Sequence, residues 1–337
     1  MNHSTSSSLP RLTAAITSLL LVASLEAGVV RHDRDDHLYT ELGAEYANVG
    51  QVQISQTDGN YLGSATLIDK HWVLTAAHVI DQATSLSISF DGGITSYDAN
   101  DWVAHSEWNG DLGKGYDIGL MYFERDLIDA TGLSAASLYR SSDEVGSISI
   151  AAGFGTTGTG LTGYTNLDGQ RRAGENMVDA LLKTPGKGNR ILLTDFDNPN
   201  DPSDSSWGSS DPLNLEYLIA PGDSGGGLFI DDMLAGVHSF GWGRLDGTPD
   251  SDYGDAAGHT RVSSFTNWID SVISPGGGGS GGEDDTGGGG RKGKGGGKPF
   301  DLAAVSQLTV EAPEPGTTLL LAAPLLVLAA QRVRRNG

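Results

Sequence analysis

The chain has 337 residues, of which 43 are acidic and 21 basic for a formal net charge of -22, and it contains no cysteine. That charge excludes nucleic acid as an expected partner, because phosphate binding needs clustered Lys and Arg. The lack of cysteine excludes disulfides and thiolate chemistry, so an exported fold would rest on its core and on any ion it binds.

In chain order, Arg11 precedes a mostly apolar run from Leu12 to Leu25 that ends near Ala27, the pattern of a secretory signal peptide over residues 1–27. Residues 28–39 then read as an acidic leader and mature N-terminus. From about Val49, short apolar runs alternate with Gly, Asp, Asn and Ser, among them Val49 to Ile54, Tyr61 to Ile68, Ile118 to Phe123, Ile148 to Phe154 and Leu234 to Phe240. Runs this short at this spacing predict an all-β barrel or sandwich. Helical periodicity arrives only at Val262 to Ile273, where Phe265, Trp268, Ile269, Val272 and Ile273 share a face and predict a closing helix. Residues 40–274 are therefore expected to be one folded domain.

Pro275 ends that pattern, and residues 275–311 are Gly-rich, with an acidic patch (Glu283, Asp284, Asp285) before a basic one, the composition of a flexible linker. In residues 312–337, Pro313-Glu314-Pro315 leads into the apolar run Leu319 to Ala330, and Arg332, Arg334 and Arg335 follow. The run is shorter than the roughly 20 residues that a stable span prefers, and the basic end favours the cytoplasmic side. The three features in this order resemble the PEP-CTERM sorting signal of Gram-negative bacteria. The resemblance implies an exosortase-like processing partner, membrane association through the apolar helix, and delivery to the cell surface or extracellular matrix. The alternative is an ordinary C-terminal anchor.

Chemistry concentrates in Pro221-Gly222-Asp223-Ser224-Gly225-Gly226-Gly227. A serine hydroxyl is a weak nucleophile until a base, itself oriented by a third group, activates it. His78 ends Trp72-Val73-Leu74-Thr75-Ala76-Ala77-His78, a strand signal running into a small-residue turn. Asp117 opens Asp117-Ile118-Gly119-Leu120, whose apolar residues draw the carboxylate inward, where it can hold one imidazole nitrogen.

Thr75 to His78, Asp117 to Leu120 and Gly222 to Gly226 resemble the three signature segments of the trypsin or chymotrypsin family of serine peptidases, with Gly119 where the family has alanine. The resemblance implies two six-stranded antiparallel β-barrels, no cofactor, and endopeptidase action on a polypeptide substrate. It makes His78 the general base, Asp117 its orienting partner, Ser224 the nucleophile, and the amides of Gly222 and Ser224 an oxyanion hole. It further implies a substrate-binding strand at Ser239-Phe240-Gly241, a pocket wall at Gly258 that the two glycines leave open, and a pocket floor at Leu218. With no acid there, an apolar or medium-sized residue rather than Arg or Lys is expected before the scissile bond. Asp223 stands where the family pairs an acid with a freed apolar N-terminus, whose nearest equivalent here is Gly28-Val29-Val30-Arg31.

Two other functions fit part of the pattern. Gly222 to Gly226 also matches the elbow of an α/β-hydrolase esterase, with Asp231 or Asp232 and His238 or His259 following in order, although alternating strands and long helices are missing. A catalytically idle matrix-binding protein on the same fold is the third class. His32, His37, His71 and His105 have no second ligand at metal spacing and read as solvated or packed imidazoles. The acidic segment from Asp195 to Asp204 is the candidate for a structural Ca²⁺, through Asp195, Asp197 and Asp201.

Overall fold

The structure, a computed structural model, describes residues 28–184 and 188–274, together with the backbone of Thr309–Glu311. The signal peptide, most of the linker and the sorting segment lie outside the described residues. Among the described residues no helix is long and apolar enough to cross a membrane.

Two curled antiparallel sheets make up most of the fold. The first orders seven strands as Tyr97–Asp98, Ser85–Ser89, Val49–Gln56, Gly59–Asp69, Trp72–Thr75, Gly119–Tyr122 and Asp101–Ala104. The second orders eight as Arg172–Met177, Ile148–Gly153, Gly227–Ile230, Met233–Trp242, Ala256–Arg261, Gly188–Asp195, Ala180–Thr184 and Thr309–Glu311. The expected all-β class with two curled half-barrel sheets holds. Short edge pieces extend them: Tyr97–Asp98 adds to the first, and Thr309–Glu311, the end of the segment read as linker, pairs with Leu181 to Lys183 in the second.

A smaller sheet of Gly163–Asn166, Thr157–Thr159, Gly28–Val30 and Tyr217–Leu218 flanks the second, and within it Gly28–Val30 runs parallel to Thr157–Thr159. The leader is thus built into the fold, with Val29 and Val30 buried between two strands.

One apolar core runs through both sheets, joining Val52, Leu67, Leu74 and Leu120 of the first to Phe229, Leu234 and Val237 of the second. The closing helix is Thr266–Ile273, entered through a 3₁₀ turn at Val262–Ser264, and its face delivers Phe265 and Ile269 to that core. A second helix, Asp36–Glu45, was not expected. It buries Tyr39 and Gly43, with Leu42 and Tyr46 on the same stripe, and a side chain at Gly43 would come within 2.7 Å of the Arg171 carbonyl.

That helix is fastened electrostatically. Arg172 has no exposed side-chain surface and holds Asp36 through Nε (2.6 Å) and a second nitrogen (2.7 Å), and Asp168 at 3.1 Å. Removing one partner of a buried pair leaves the other charge uncompensated in a poorly solvated site. Arg172→Met should therefore lower unfolding free energy by about 3–5 kcal/mol in denaturant melts, and adding Asp168→Leu should recover part of the loss.

Candidate active site

Strand Trp72–Thr75 pairs with Gly119–Tyr122, which sets Thr75 beside Gly119 and brings the turn after the one strand to the start of the other. Ala76 and Ala77 are fully buried in that turn, and only small side chains let the chain fold back into the short helix Ala77–Ile80. His78 rides on it. Its backbone amide donates to Asp117 Oδ1 at 2.8 Å and its Nδ1–H to Oδ2 at 2.7 Å, while 31% of its side chain stays exposed.

Asp117 has no exposed surface, and Ser239 also donates to its Oδ2, at 2.6 Å. Thr260 donates to the Asp117 carbonyl at 2.8 Å. Burial lowers the His78 pKa, but the charge and hydrogen bond of Asp117 outweigh it and hold the imidazole above its ordinary value. With Nδ1 committed to the carboxylate, Nε2 is the nitrogen left for proton transfer.

Ser224 reaches this corner from the second sheet. Ser64 donates its amide to the Ser224 carbonyl (2.8 Å) and its hydroxyl to the Gly222 carbonyl (2.9 Å). Gly225, at φ +85°, sits so close that a Cβ would lie 2.1 Å from Thr75 Oγ1 and 2.2 Å from the Ser64 carbonyl. No other residue fits there. The loop's amides divide into two sets: Asp223, Gly225 and Gly226 donate to Ala220, His238 and Asp223 carbonyls, whereas Gly222 and Ser224 donate to no acceptor among the described residues. Two unengaged donors flank the serine and can receive an oxyanion. Ser224 Oγ itself makes no hydrogen bond among the described residues, a looseness common in sites without substrate.

Asp223, fully buried, accepts from the amides of Gly155 (2.7 Å) and Ala220 (2.9 Å) and from the Tyr217 hydroxyl (3.1 Å). Burial pushes its pKa up to about 6 against these donors. The side chain that bonds Asp223 here is Tyr217, and it fills the space a side chain on residue 28 would need, 2.0 Å from a Cβ built there. Gly28 donates its amide to the Thr156 carbonyl at 2.8 Å.

The expected pocket residues differ in their surroundings. Gly241 has open space where a side chain would stand, but the Phe240 ring would lie 2.2 Å from a Cβ on Gly258, so that glycine faces a packed aromatic and not a void. Leu218 is 1% exposed and pairs with Val29. The histidines of the esterase reading are committed elsewhere. His238 and His259 are buried with their Nδ1 atoms 2.9 Å apart, and His259 also reaches Thr194. Burial drops the His259 pKa to about 3. Asp231 and Asp232 form the hairpin turn at left-handed φ angles of 48° and 61°.

The candidate Ca²⁺ ligands do not gather either. Asp201 is exposed and bonds Ser203. Asp195 is 2% exposed and bonds the amides of Ser206 and Trp207, and Asp197 is 5% exposed. Asp179 and Glu216, outside that segment of the chain, are also buried and face the same region, and Glu216 accepts from the amides of Asp197 and Leu213. Asp179 Oδ2 and Asp197 Oδ1 have neither exposed surface nor a partner.

The family model for trypsin matches residues 43–177 and 203–269. The chain is 25% identical over 269 residues to cationic trypsin-3 of Rattus norvegicus, covering 76% of this chain and 98% of that one. It is 24% identical to trypsin of Sus scrofa, over 68% of this chain and 92% of that one, and 27% identical to chymotrypsin of Phaedon cochleariae, over 60% and 69%. Among solved structures, HL collagenase aligns with a TM-score of 0.49 at 18% identity, covering 74% of this chain and 98% of that chain.

Burial raises the carboxyl pKa to about 9 for Asp179, about 8 for Glu216 and about 7 for Asp197, and mutual repulsion adds to each. A folded-state pKa above the unfolded value gives stability that is full below the ordinary carboxylate range and is lost as pH rises through the folded pKa. The melting temperature should therefore fall between pH 6 and pH 9, and Asp179→Asn should flatten that decline, as calorimetry at the two pH values would show.

Proposed function

The chain belongs to the trypsin family, and from that membership and the 2.7 Å hydrogen bond that fixes His78 on buried Asp117 we propose that it hydrolyses peptide bonds as a serine endopeptidase. In this reading His78 Nε2 takes the Ser224 proton as Oγ attacks the scissile carbonyl carbon. The oxyanion that forms is held by the Gly222 and Ser224 amides. The tetrahedral adduct collapses as His78 returns the proton to the leaving amine, and water then releases the acyl group by the same route. Asp117 orients the ring and offsets the charge it acquires, and Ser239 and the His78 amide hold the carboxylate in place.

The same reading extends to specificity and maturation. An apolar Leu218 offers nothing to pair with a cationic side chain, so cleavage follows apolar or medium-sized residues. Cutting before Gly28 would leave strand Gly28–Val30 paired as it is and turn its first amide into an ammonium against the Tyr217 ring, beside the hydroxyl that bonds Asp223. Residues 1–27 and 312–337 are read as export and sorting signals, placing the enzyme outside the inner membrane, anchored or released at the cell surface.

Ser224→Ala and His78→Ala should each lower kcat/KM by about 10⁴-fold or more, and wild-type protein should label at Ser224 with a fluorophosphonate. Loss of turnover on His259→Ala with His78→Ala still active would support the esterase instead, and no labelling would support an idle binding protein. The acid limb of kcat/KM should lie above the roughly 6.5 of an ordinary imidazole, since His78 must be neutral to act as base.

Cleavage of a peptide library should show apolar or medium-sized residues before the scissile bond, and a clear preference for Arg or Lys would refute the role given to Leu218.

A further inference from the structure

Beyond the corner that holds His78 and Ser224, the chain between Trp242 and Ala256 carries Asp250, Asp252 and Asp255, each with a carboxylate oxygen within 4.8 Å of the other two. Three like charges so close repel one another. Among the described residues no Lys or Arg forms an ion pair with any of them.

The individual oxygens point the same way. Asp255 is almost fully buried, 2% exposed; its Oδ2 accepts from the Ser251 amide at 2.8 Å, and its other oxygen takes no hydrogen bond. Asp250 Oδ1 has neither exposed surface nor a partner. A buried carboxylate oxygen without a donor is costly unless a cation meets it. Against this group opens a cavity of about 320 Å³, lined by Asp252 and Asp255 together with Asn198, Asp204, Asp246 and Tyr253.

We propose that Asp250, Asp252 and Asp255 bind a Ca²⁺ ion, with cavity water and the oxygens of Asn198, Asp204 or Asp246 completing its shell. Ca²⁺ takes six to eight oxygens at about 2.3–2.6 Å, so no two ligands of one ion stand more than about 5 Å apart, and the three carboxylate oxygens here lie within 4.8 Å of one another. Mg²⁺ is smaller and keeps its waters, and it fits a three-carboxylate group less well. The ion would tie the 245–255 loop to the 198–204 loop. The first of these continues into strand Ala256–Arg261, partner of the strand that carries Ser239. This site replaces the sequence's assignment of Ca²⁺ to Asp195, Asp197 and Asp201, and it does not depend on the peptidase reading.

The test uses protein stripped with a chelator and dialysed. Added CaCl₂ at a hundredfold excess over Kd should raise the melting temperature by about 5 °C or more, and MgCl₂ by less. Tb³⁺, a Ca²⁺ substitute, should luminesce on excitation of Tyr253 and be displaced by Ca²⁺. Asp252→Asn removes one of three repelling charges at a half-buried position. It should melt higher than wild type in chelator, yet lose the Ca²⁺-dependent rise and bind Ca²⁺ about tenfold or more weakly. A wild-type protein with neither a melting shift nor Tb³⁺ luminescence overturns the proposal. So does an Asp252→Asn protein that keeps the full Ca²⁺ shift, which would place the ion elsewhere, for instance beside Asp179 and Asp197.

Discussion

The structure depends on how one buried carboxylate is satisfied. Asp117 has no exposed surface, and its donors come from both halves of the molecule: the amide and ring of His78 from the first sheet, the Ser239 hydroxyl from the second, and Thr260 on its own carbonyl. A carboxylate taken out of water is costly unless donors meet its oxygens. The two sheets are therefore joined at the point where the chemistry is proposed to occur, and relative motion of the sheets would break the bonds that orient His78.

A second seam lies beside the first and is made of backbone rather than charge. Ser64 holds the loop at Gly222 and Ser224 with its hydroxyl and its amide, and Gly225 closes to within a distance that excludes any Cβ. That closeness has a chemical consequence. With Asp223, Gly225 and Gly226 already donating to carbonyls, the amides of Gly222 and Ser224 are left over, and the leftover pair is what an oxyanion needs. Behind the loop, Asp223 reaches Tyr217 and, through that ring, Gly28 at the start of the leader strand. The leader is thus coupled mechanically to the loop around Ser224.

Features carried by residues adjacent in the chain were legible in the sequence; features that depend on distant strands were not. Thr75 to His78, Asp117 to Leu120 and Gly222 to Gly226 are local patterns, and the all-β class followed from short apolar runs between turn residues. The helix Asp36–Glu45 was missed although Tyr39, Leu42, Gly43 and Tyr46 recur at helical spacing, because the charged residues between them obscured a stripe only a few residues long. Gly258 read as an open wall because nothing in the chain says that the Phe240 ring turns onto it. The acidic clusters show the same limit. Density of Asp in one segment suggested Asp195, Asp197 and Asp201, whereas the carboxylates that converge come from Asp250, Asp252 and Asp255, about fifty residues away in the chain.

Without cysteine, the fold is held at the places where disulfides are unavailable by ion pairs that have been taken out of water. Arg172 locks the leader helix to the second sheet through Asp36 and also holds Asp168, and Arg261 locks the end of the strand after the acidic loop to buried Glu144 at 2.9 and 2.5 Å. Both arginines are consumed by these roles. Among the other buried acids, Asp179, Asp195, Asp197, Glu216 and Asp255 have no ion pair with a cationic side chain, so beyond the amides that some of them accept from, their charge is relieved by protons or by an ion from solution. Protons serve Asp179, Asp197 and Glu216, whose carboxyls titrate near or above neutrality. The group around Asp255 differs because three of its oxygens converge beside a cavity, a geometry a divalent cation can use.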